Sequence, residues 1–259
     1  MLRMVHIAQR QRRRDLWTPV FVQALQSLGE FQIIENAQDL PTEEVAARLR
    51  DADVLLTGWA SLPTPIGLLA DPGRLRYICN VTGSVRPFVP REFVASDIPV
   101  TNWGDAPADE IAEGALTLLM AVLRDLHLRI MTVRQGGGRI DSARTGGQMR
   151  GLRVAVYGCG VIGRRFIEML APFGCQVTVF DPYAEAVPSW CRRVSTLRDL
   201  CVDTDALVIH AGLTEATRKT VTAELLALLP DHGIVVNTAR GGIVDQEALF
   251  AELASGRLR

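Results

Sequence analysis

The chain has 259 residues, 48% hydrophobic and 22% charged, with a formal net charge of −1. That is enough apolar material for one large or two medium cores, and the near-neutral balance excludes a global basic field for nucleic acid. The longest apolar stretch, ALTLLMAVL, runs over 115–123, short of the about 20 residues a membrane span needs, and the N-terminus MLRMVHIAQRQRRR lacks the apolar core of a secretory leader.

In chain order, MVHIA, FQIIE, DVLLTG, LRYICNV and IPVTN read as strands in the first hundred or so residues. They are rich in Val, Ile and Leu and bounded by turn residues. TPVFVQALQSLG, PTEEVAARLRD and PTPIGLLAD lie between them, with helix-start residues and 3.6-type spacing. This alternation predicts a parallel sheet covered on both faces. The one basic cluster, Arg10 to Arg14, reads as a solvated loop after the first strand.

DAPADEIAEGALTLLMAVLRDLHLRIMTVRQ (105–135) opens with Asp105, Pro107, Asp109 and Glu110, the acid-and-proline pattern of a helix start. Apolar residues then recur throughout. The pattern predicts one helix of more than six turns, buried between domains or subunits. The glycine-rich GGGRIDSARTGG (136–147) reads as an extended arm or loop. After it come the strands RVAVY, QVTVF, a short CRRV, DALVIH and GIVVN, with helices over RRFIEMLAPFG, TAELLALLP and DQEALFAELASG. Gly174 and Gly256 are the expected helix stops. Cys79, Cys159, Cys175, Cys191 and Cys201 fall at no metal spacing and form no CxxC, so they read as reduced cytosolic thiols.

GCGVIG places Gly158, Gly160 and Gly163 directly after RVAVY and directly before a helix, and Asp181 ends the next strand. In that context the motif predicts a dinucleotide site. Gly158 permits the tight turn, Gly160 lets backbone approach a pyrophosphate, and Gly163 lets helix and strand pack closely. The helix N-terminus offers free N–H groups to phosphate. Asp181 would accept the adenosine ribose hydroxyls and repel a 2′-phosphate, which favours NAD over NADP. Arg192 and Arg193 stand close enough in sequence to oppose that preference. Arg240 follows GIVVN directly, as a residue held at a strand end to meet a ligand.

MRGLRVAVYGCGVIGRRFIEMLAPFGCQVTVFDPY, HAGLTEATRKTV and VVNTARGGIVDQEAL, in that order, resemble the D-isomer-specific 2-hydroxyacid dehydrogenases. The resemblance runs from about Leu75 to the last residue and is most specific from Gly151 onward. It implies an α/β protein: a flavodoxin-like substrate-binding domain over 1–103, then an incomplete Rossmann NAD-binding domain over 104–259, a doubly wound parallel sheet lacking its C-terminal strands. The implied activity is NAD-dependent interconversion of a 2-keto acid and a D-2-hydroxy acid by a cytoplasmic protein, dimeric when full length. Arg240 would hold and polarise the keto acid. Val161 and Ile162 would line the pyrophosphate turn, His210 and Ala211 would border the cofactor, and Thr238 and Ala239 would lie along its nicotinamide end. Thr82, Gly83 and Ser84 would meet the substrate carboxylate.

The family pattern is broken at Gly212, where proline is usual, at Pro107, where asparagine is frequent, and near Gly138 and Arg139, where a tryptophan is common. The resemblance further implies that the proton-donating histidine and its glutamate partner belong to sequence after Arg259. The expectation is then a chain cut from a longer protein, or alternatively a natural truncation, with negligible turnover of its own and an apolar sheet edge left open near GIVVN. Two other functions remain open at this level: an NAD(H)-binding sensor, and an interaction module that uses the fold as scaffold.

Overall fold

The computed structural model describes residues 1–9, 16–138 and 147–259, which form two compact units, Met1–Gly104 and Asp105–Arg259. Arg10 to Arg14 and most of the glycine-rich arm lie outside the described residues.

The first unit runs β1 (Leu2–Ile7), α1 (Pro19–Leu28), β2 (Gly29–Ile34), α2 (Thr42–Arg50), β3 (Val54–Thr57), β4 (Tyr77–Asn80), α3 (Arg91–Val94) and β5 (Val100–Thr101). Its sheet is parallel in the order β2-β1-β3-β4-β5, the flavodoxin-like arrangement. Local sequence sets the helix starts. Thr18 caps α1 by accepting from Phe21 N at 3.3 Å, with Pro19 in the first turn. In α2, Glu43 and Glu44 stand in the first turn and Arg48 and Arg50 in the last, matching the helix dipole. All four residues of β3 are buried, as a central parallel strand requires. Ile7, Leu49, Leu55, Leu68, Ile78 and Phe93 form the core. PTPIGLLAD departs from expectation: Ile66–Leu69 make only a 3-10 turn, hung on the Pro65 carbonyl, which accepts from Leu68 N.

The second unit runs α4 (Ala108–Leu123), α5 (Leu126–Arg134), β6 (Arg153–Tyr157), α6 (Val161–Leu170), β7 (Gln176–Phe180), β8 (Arg192–Arg193), α7 (Leu197–Cys201), β9 (Ala206–Ile209), α8 (Ala223–Leu226), β10 (Ile234–Asn237) and α9 (Gln246–Ala254). Its parallel sheet has the order β8-β7-β6-β9-β10. Numbered within the unit this is 3-2-1-4-5, five positions of the doubly wound order. One face of α4, Ala112, Ala115, Leu119 and Leu123, packs in the same core as Phe166 and Ile167 of α6.

The single long helix expected over 105–135 is two. Asp125 takes φ 49°, the left-handed region, and that ends the i to i−4 ladder of α4. Its buried carboxylate meets the Arg259 guanidinium at 3.3 Å. Helix α5 buries none of its residues and leaves Leu126, Ile130, Met131 and Val133 exposed. The edge of β10 also differs from expectation. Val235 N donates to Arg259 O and Arg259 N donates to Gly233 O, both at 2.8 Å, so the last residues pair along it.

Candidate functional site

The turn between β6 and α6 is built by steric exclusion. Gly158 has φ 97°, and a Cβ there would stand 2.5 Å from Ala211 N. A Cβ on Gly163 would collide with the Gly158 carbonyl oxygen. Gly160 is different, because a Cβ there meets nothing within 4 Å. Packing therefore demands glycine at 158 and 163, whereas at 160 the missing side chain leaves approach space in front of a helix N-terminus. The first bond of α6 runs from Arg164 N to Gly160 O at 2.9 Å, which leaves the N–H groups of Val161, Ile162 and Gly163 for an outside acceptor. Val161 is exposed and Ile162 packs against the core.

Beyond the turn lies a cavity of about 460 Å³. Gly158, Gly160, Asp181 and His210 line it together with apolar walls from Phe180 and Leu197. Sequence reasoning missed the wall on the side of the loop after β9, where Gly212, Thr214, Thr217 and Thr220 stand. The threonine spacing in LTEATRKT is the signal that marks it. Thr217 shapes this loop: its hydroxyl donates to Gly212 O and accepts from Thr214 N, each at 2.7 Å.

Asp181 ends β7 and is tied to the backbone. One carboxylate oxygen accepts from Cys159 N at 2.7 Å, and the other accepts from Tyr183 N at 2.8 Å and Ala184 N at 3.2 Å. A carboxylate has roughly four acceptor positions, so these bonds still leave capacity for a hydroxyl donor. Arg193 reaches the same turn and donates to Asp181 O at 3.2 Å and Ala184 O at 2.8 Å.

His210 follows β9, with its ring 5.0 Å from that of Phe166. Its Nε2 is buried and has no partner, and burial pushes its pKa down from 6.5 to about 4. The imidazole is therefore neutral at pH 7. Thr238 Oγ1 is likewise buried without a partner. The unpartnered His210 Nε2 beside the cavity, the open approach at Gly160 and the free amides of the helix start fit a dinucleotide. Ala211 is buried against the Gly158 turn.

Arg240 is exposed at the end of β10, and its guanidinium donates to Ala239 O at 2.8 Å. No carboxylate among the described residues forms an ion pair with it. Asn237 holds the turn that carries it. The Asn237 amide accepts from Ala239 N and donates to Arg240 O, each at 3.0 Å. Sequence reasoning passed over Asn237 although it opens the NTARGG motif.

In the first unit, Thr82, Gly83 and Ser84 follow β4. Thr82 is fully buried, with its hydroxyl and carbonyl both bonded to the Asn80 side chain, at 3.1 Å and 2.7 Å. The Gly83 carbonyl accepts from Asn102 Nδ2 at 2.6 Å. The N–H groups of Gly83 and Ser84 donate to no acceptor among the described residues, so the loop presents donors and hides its acceptors.

Of the other histidines, His6 is buried in β1, and His127 and His232 are exposed. None of the four is hydrogen-bonded to a carboxylate among the described residues. Among the described residues no group of three or more His, Cys, Asp or Glu is arranged to hold a metal, and no helix is long and apolar enough to cross a membrane.

Residues 116–259 match the family model described as D-isomer specific 2-hydroxyacid dehydrogenase, NAD binding domain. The chain is 28% identical over 245 residues to the D-3-phosphoglycerate dehydrogenase of Methanocaldococcus jannaschii, covering 93% of this chain and 46% of that protein. It is 27% identical over 241 residues to the hydroxypyruvate reductase of Thermotoga maritima, covering 93% of this chain and 78% of that one. The chain thus spans under half of the first relative's length. It superimposes on the D-lactate dehydrogenase of Aquifex aeolicus, solved with NAD and lactic acid, at a TM-score of 0.79. That match has 22% identity and covers 98% of this chain and 74% of that one, a likeness of fold.

Proposed function

Because the chain belongs to the D-isomer specific 2-hydroxyacid dehydrogenase family, we propose that it binds NAD at the Gly158–Gly163 turn and serves the interconversion of a 2-keto acid and a D-2-hydroxy acid. The observation that carries this reading is Arg240, an exposed guanidinium on a clamped turn with no carboxylate partner among the described residues. A planar fork of donors suits the carboxylate and adjacent carbonyl of a 2-keto acid.

The roles divide as follows. The N–H groups of Val161, Ile162 and Gly163 receive the pyrophosphate, and Gly160 admits it. Asp181 accepts the ribose hydroxyls and sets the preference for NAD over NADP by repelling a 2′-phosphate. His210 and Thr238 offer their orphaned atoms to the bound dinucleotide, and Ala211 and Ala239 border it. When bound, the nicotinamide supplies or accepts the hydride. Arg240 holds the keto acid's carboxylate and draws charge from its carbonyl oxygen. The amides of Gly83 and Ser84 in the first unit offer donors to the same class of carboxylate. Reduction also consumes one proton, and we propose none of the four histidines as its donor.

The exposed apolar residues of α5 suit a homodimer contact, which sedimentation would reveal. The five free thiols suit a reducing cytoplasm.

The test is calorimetry on the full chain. NAD should bind more tightly than NADP, and pyruvate should then bind the NAD-saturated protein. Arg240→Gln should leave NAD affinity within about twofold and weaken pyruvate by tenfold or more, the loss expected for about 1.5–3 kcal/mol of charged hydrogen bonding. Unchanged pyruvate affinity in the variant would reject Arg240 as the carboxylate ligand.

A further inference from the structure

The cavity beyond the Gly158 turn has one wall of hydroxyls. Thr214, Thr217 and Thr220 recur at every third residue along the loop after β9, and Tyr157 closes the run from the end of β6. Tyr157 is 4% exposed, with its ring centroid 5.7 Å from that of Phe180, and both residues line the cavity. A hydroxyl has one proton to donate and lone pairs to accept with, so its partners decide the direction of each bond.

A backbone carbonyl can only accept, and two carbonyls fix the whole run. Thr220 Oγ1 donates to Thr217 O at 2.9 Å. That spends its proton, so in the 3.2 Å contact between the Tyr157 hydroxyl and Thr220 Oγ1 the phenol donates and the threonine accepts. Thr217 Oγ1 lies 2.7 Å from Gly212 O and 3.3 Å from Thr214 O, and it donates to the nearer. In its 3.1 Å contact with Thr214 Oγ1 it therefore accepts, and the Thr214 proton is spent as well. All four hydroxyl protons stay within the wall, and what the wall has left for a ligand is lone pairs. The threonines already use theirs: Thr217 accepts from Thr214 N, Thr214 from Thr217 N, and Thr220 from Tyr157. The Tyr157 oxygen accepts from no group among the described residues.

We propose that Tyr157 is the specificity-determining residue for the base of the dinucleotide, and that its unused lone pair selects adenine by the exocyclic amino group. This rests on the reading given above, in which the Gly158–Gly163 turn takes the pyrophosphate and Asp181 takes the adenosine ribose. The cavity that Asp181 lines is also lined by Phe180, Leu197 and the hydroxyl wall, which leaves that space to the base on the same ribose. Adenine presents an amino group at C6, a donor, where a 6-oxopurine presents a carbonyl oxygen, an acceptor. Against a wall with no proton left to give, the amino group is satisfied. The carbonyl oxygen instead meets lone pairs, or must draw the Tyr157 proton away from Thr220. A site built to pair an N–H group rejects the analogue that lacks it.

The experiment is calorimetric titration of the full chain with NAD and with nicotinamide hypoxanthine dinucleotide, which carries a 6-oxopurine in place of adenine. The unmodified chain is expected to bind NAD about tenfold more tightly. Tyr157→Phe removes the acceptor and should bring the ratio of the two affinities to within about twofold of one. Thr220→Val keeps the shape of the side chain but takes away the acceptor of the Tyr157 proton. The phenol can then donate into the cavity, so the preference for NAD should vanish or reverse. A loss of packing alone would weaken both dinucleotides alike and leave the ratio near tenfold. Equal affinities in the unmodified chain overturn the proposal, and so does a ratio that stays near tenfold in either folded variant. Each of these results leaves NAD binding itself standing. If neither dinucleotide binds the unmodified chain, the reading of function and this inference fall together.

Discussion

The Asn237 side-chain amide donates to the backbone carbonyl of Arg240 at 3.0 Å while accepting from the N–H of the intervening Ala239 at 3.0 Å. The residue that ends β10 thus fixes the turn on which the exposed arginine stands. Asn237→Ala removes both bonds and frees that turn. We expect keto acid affinity to fall about tenfold with NAD affinity within about threefold, since two neutral hydrogen bonds contribute roughly 1–3 kcal/mol. Parallel titrations of the two ligands check the split, and an equal loss of both would mean that Asn237 supports the whole sheet end instead.

Two glycines of one motif should fail in different ways. Gly160→Ala places its methyl in open space, so the melting temperature should stay within about 2 °C while NAD binding falls at least tenfold. Gly163→Ala drives a methyl into the Gly158 carbonyl, and overpacking of that kind costs about 1–3 kcal/mol or more. Its melting temperature should drop by several degrees. Thermal melts with and without NAD separate the two. Equal destabilisation by both changes would contradict the assignment of Gly160 to ligand approach.

Asp181 both organises its loop and faces the cavity. Asp181→Ala strips an acceptor from Cys159 N, Tyr183 N and Ala184 N. NAD affinity should fall about tenfold or more, and the ratio of NAD to NADP affinity should move toward one because the repelling charge is gone. Asp181→Asn keeps acceptor capacity without the charge, so it should retain more stability than Ala and still lose the preference. Cofactor titrations of both variants test this. An unchanged preference in Asp181→Asn would assign selectivity elsewhere, with Arg193 the first residue to examine.

Stability should depend on pH through His210. Burial depresses its folded pKa to about 4 from 6.5, so between those values the unfolded chain binds a proton that the folded chain does not. The sign follows: the neutral-imidazole contribution is complete above about pH 6.5, is lost as pH falls toward 4, and changes no further below that. At most about 3 kcal/mol is involved, from the size of the shift. His210→Phe should flatten this part of the profile relative to the unmodified chain in denaturant titrations at pH 7, 6 and 5. His6, also pushed down by burial, adds a loss of the same sign in both proteins.

Much of this was legible in the sequence because it is local. RVAVY and QVTVF coincide with β6 and β7, and Gly174 and Gly256 take positive φ where helices end. The GCGVIG turn is recognised from its local setting of strand, turn and helix. The Gly158 carbonyl demands glycine at 163 locally, whereas part of the demand at Gly158 comes from Ala211, far along the chain. Alternating strands and helices predicted a parallel sheet, while the flavodoxin-like and Rossmann arrangements were implied by the family resemblance.

What the sequence by itself determined, then, was the class of fold, the glycine turn with its family resemblance, and the position of Arg240 at a strand end. Tertiary structure alone decided the rest, since each feature depends on residues brought together from distant segments. The long apolar run became two helices because Asp125 is held in the left-handed region and its carboxylate meets Arg259, 134 positions later. No periodicity carries such a pairing. The apolar edge near GIVVN is paired because Arg259 returns along it. His210 and Thr238 were already candidates from the family resemblance; what only the structure shows is that burial leaves Nε2 and Oγ1 without partners. Trp59 and Trp103, 44 positions apart in the chain, meet edge to face only because parallel pairing sets the ends of β3, β4 and β5 in a row.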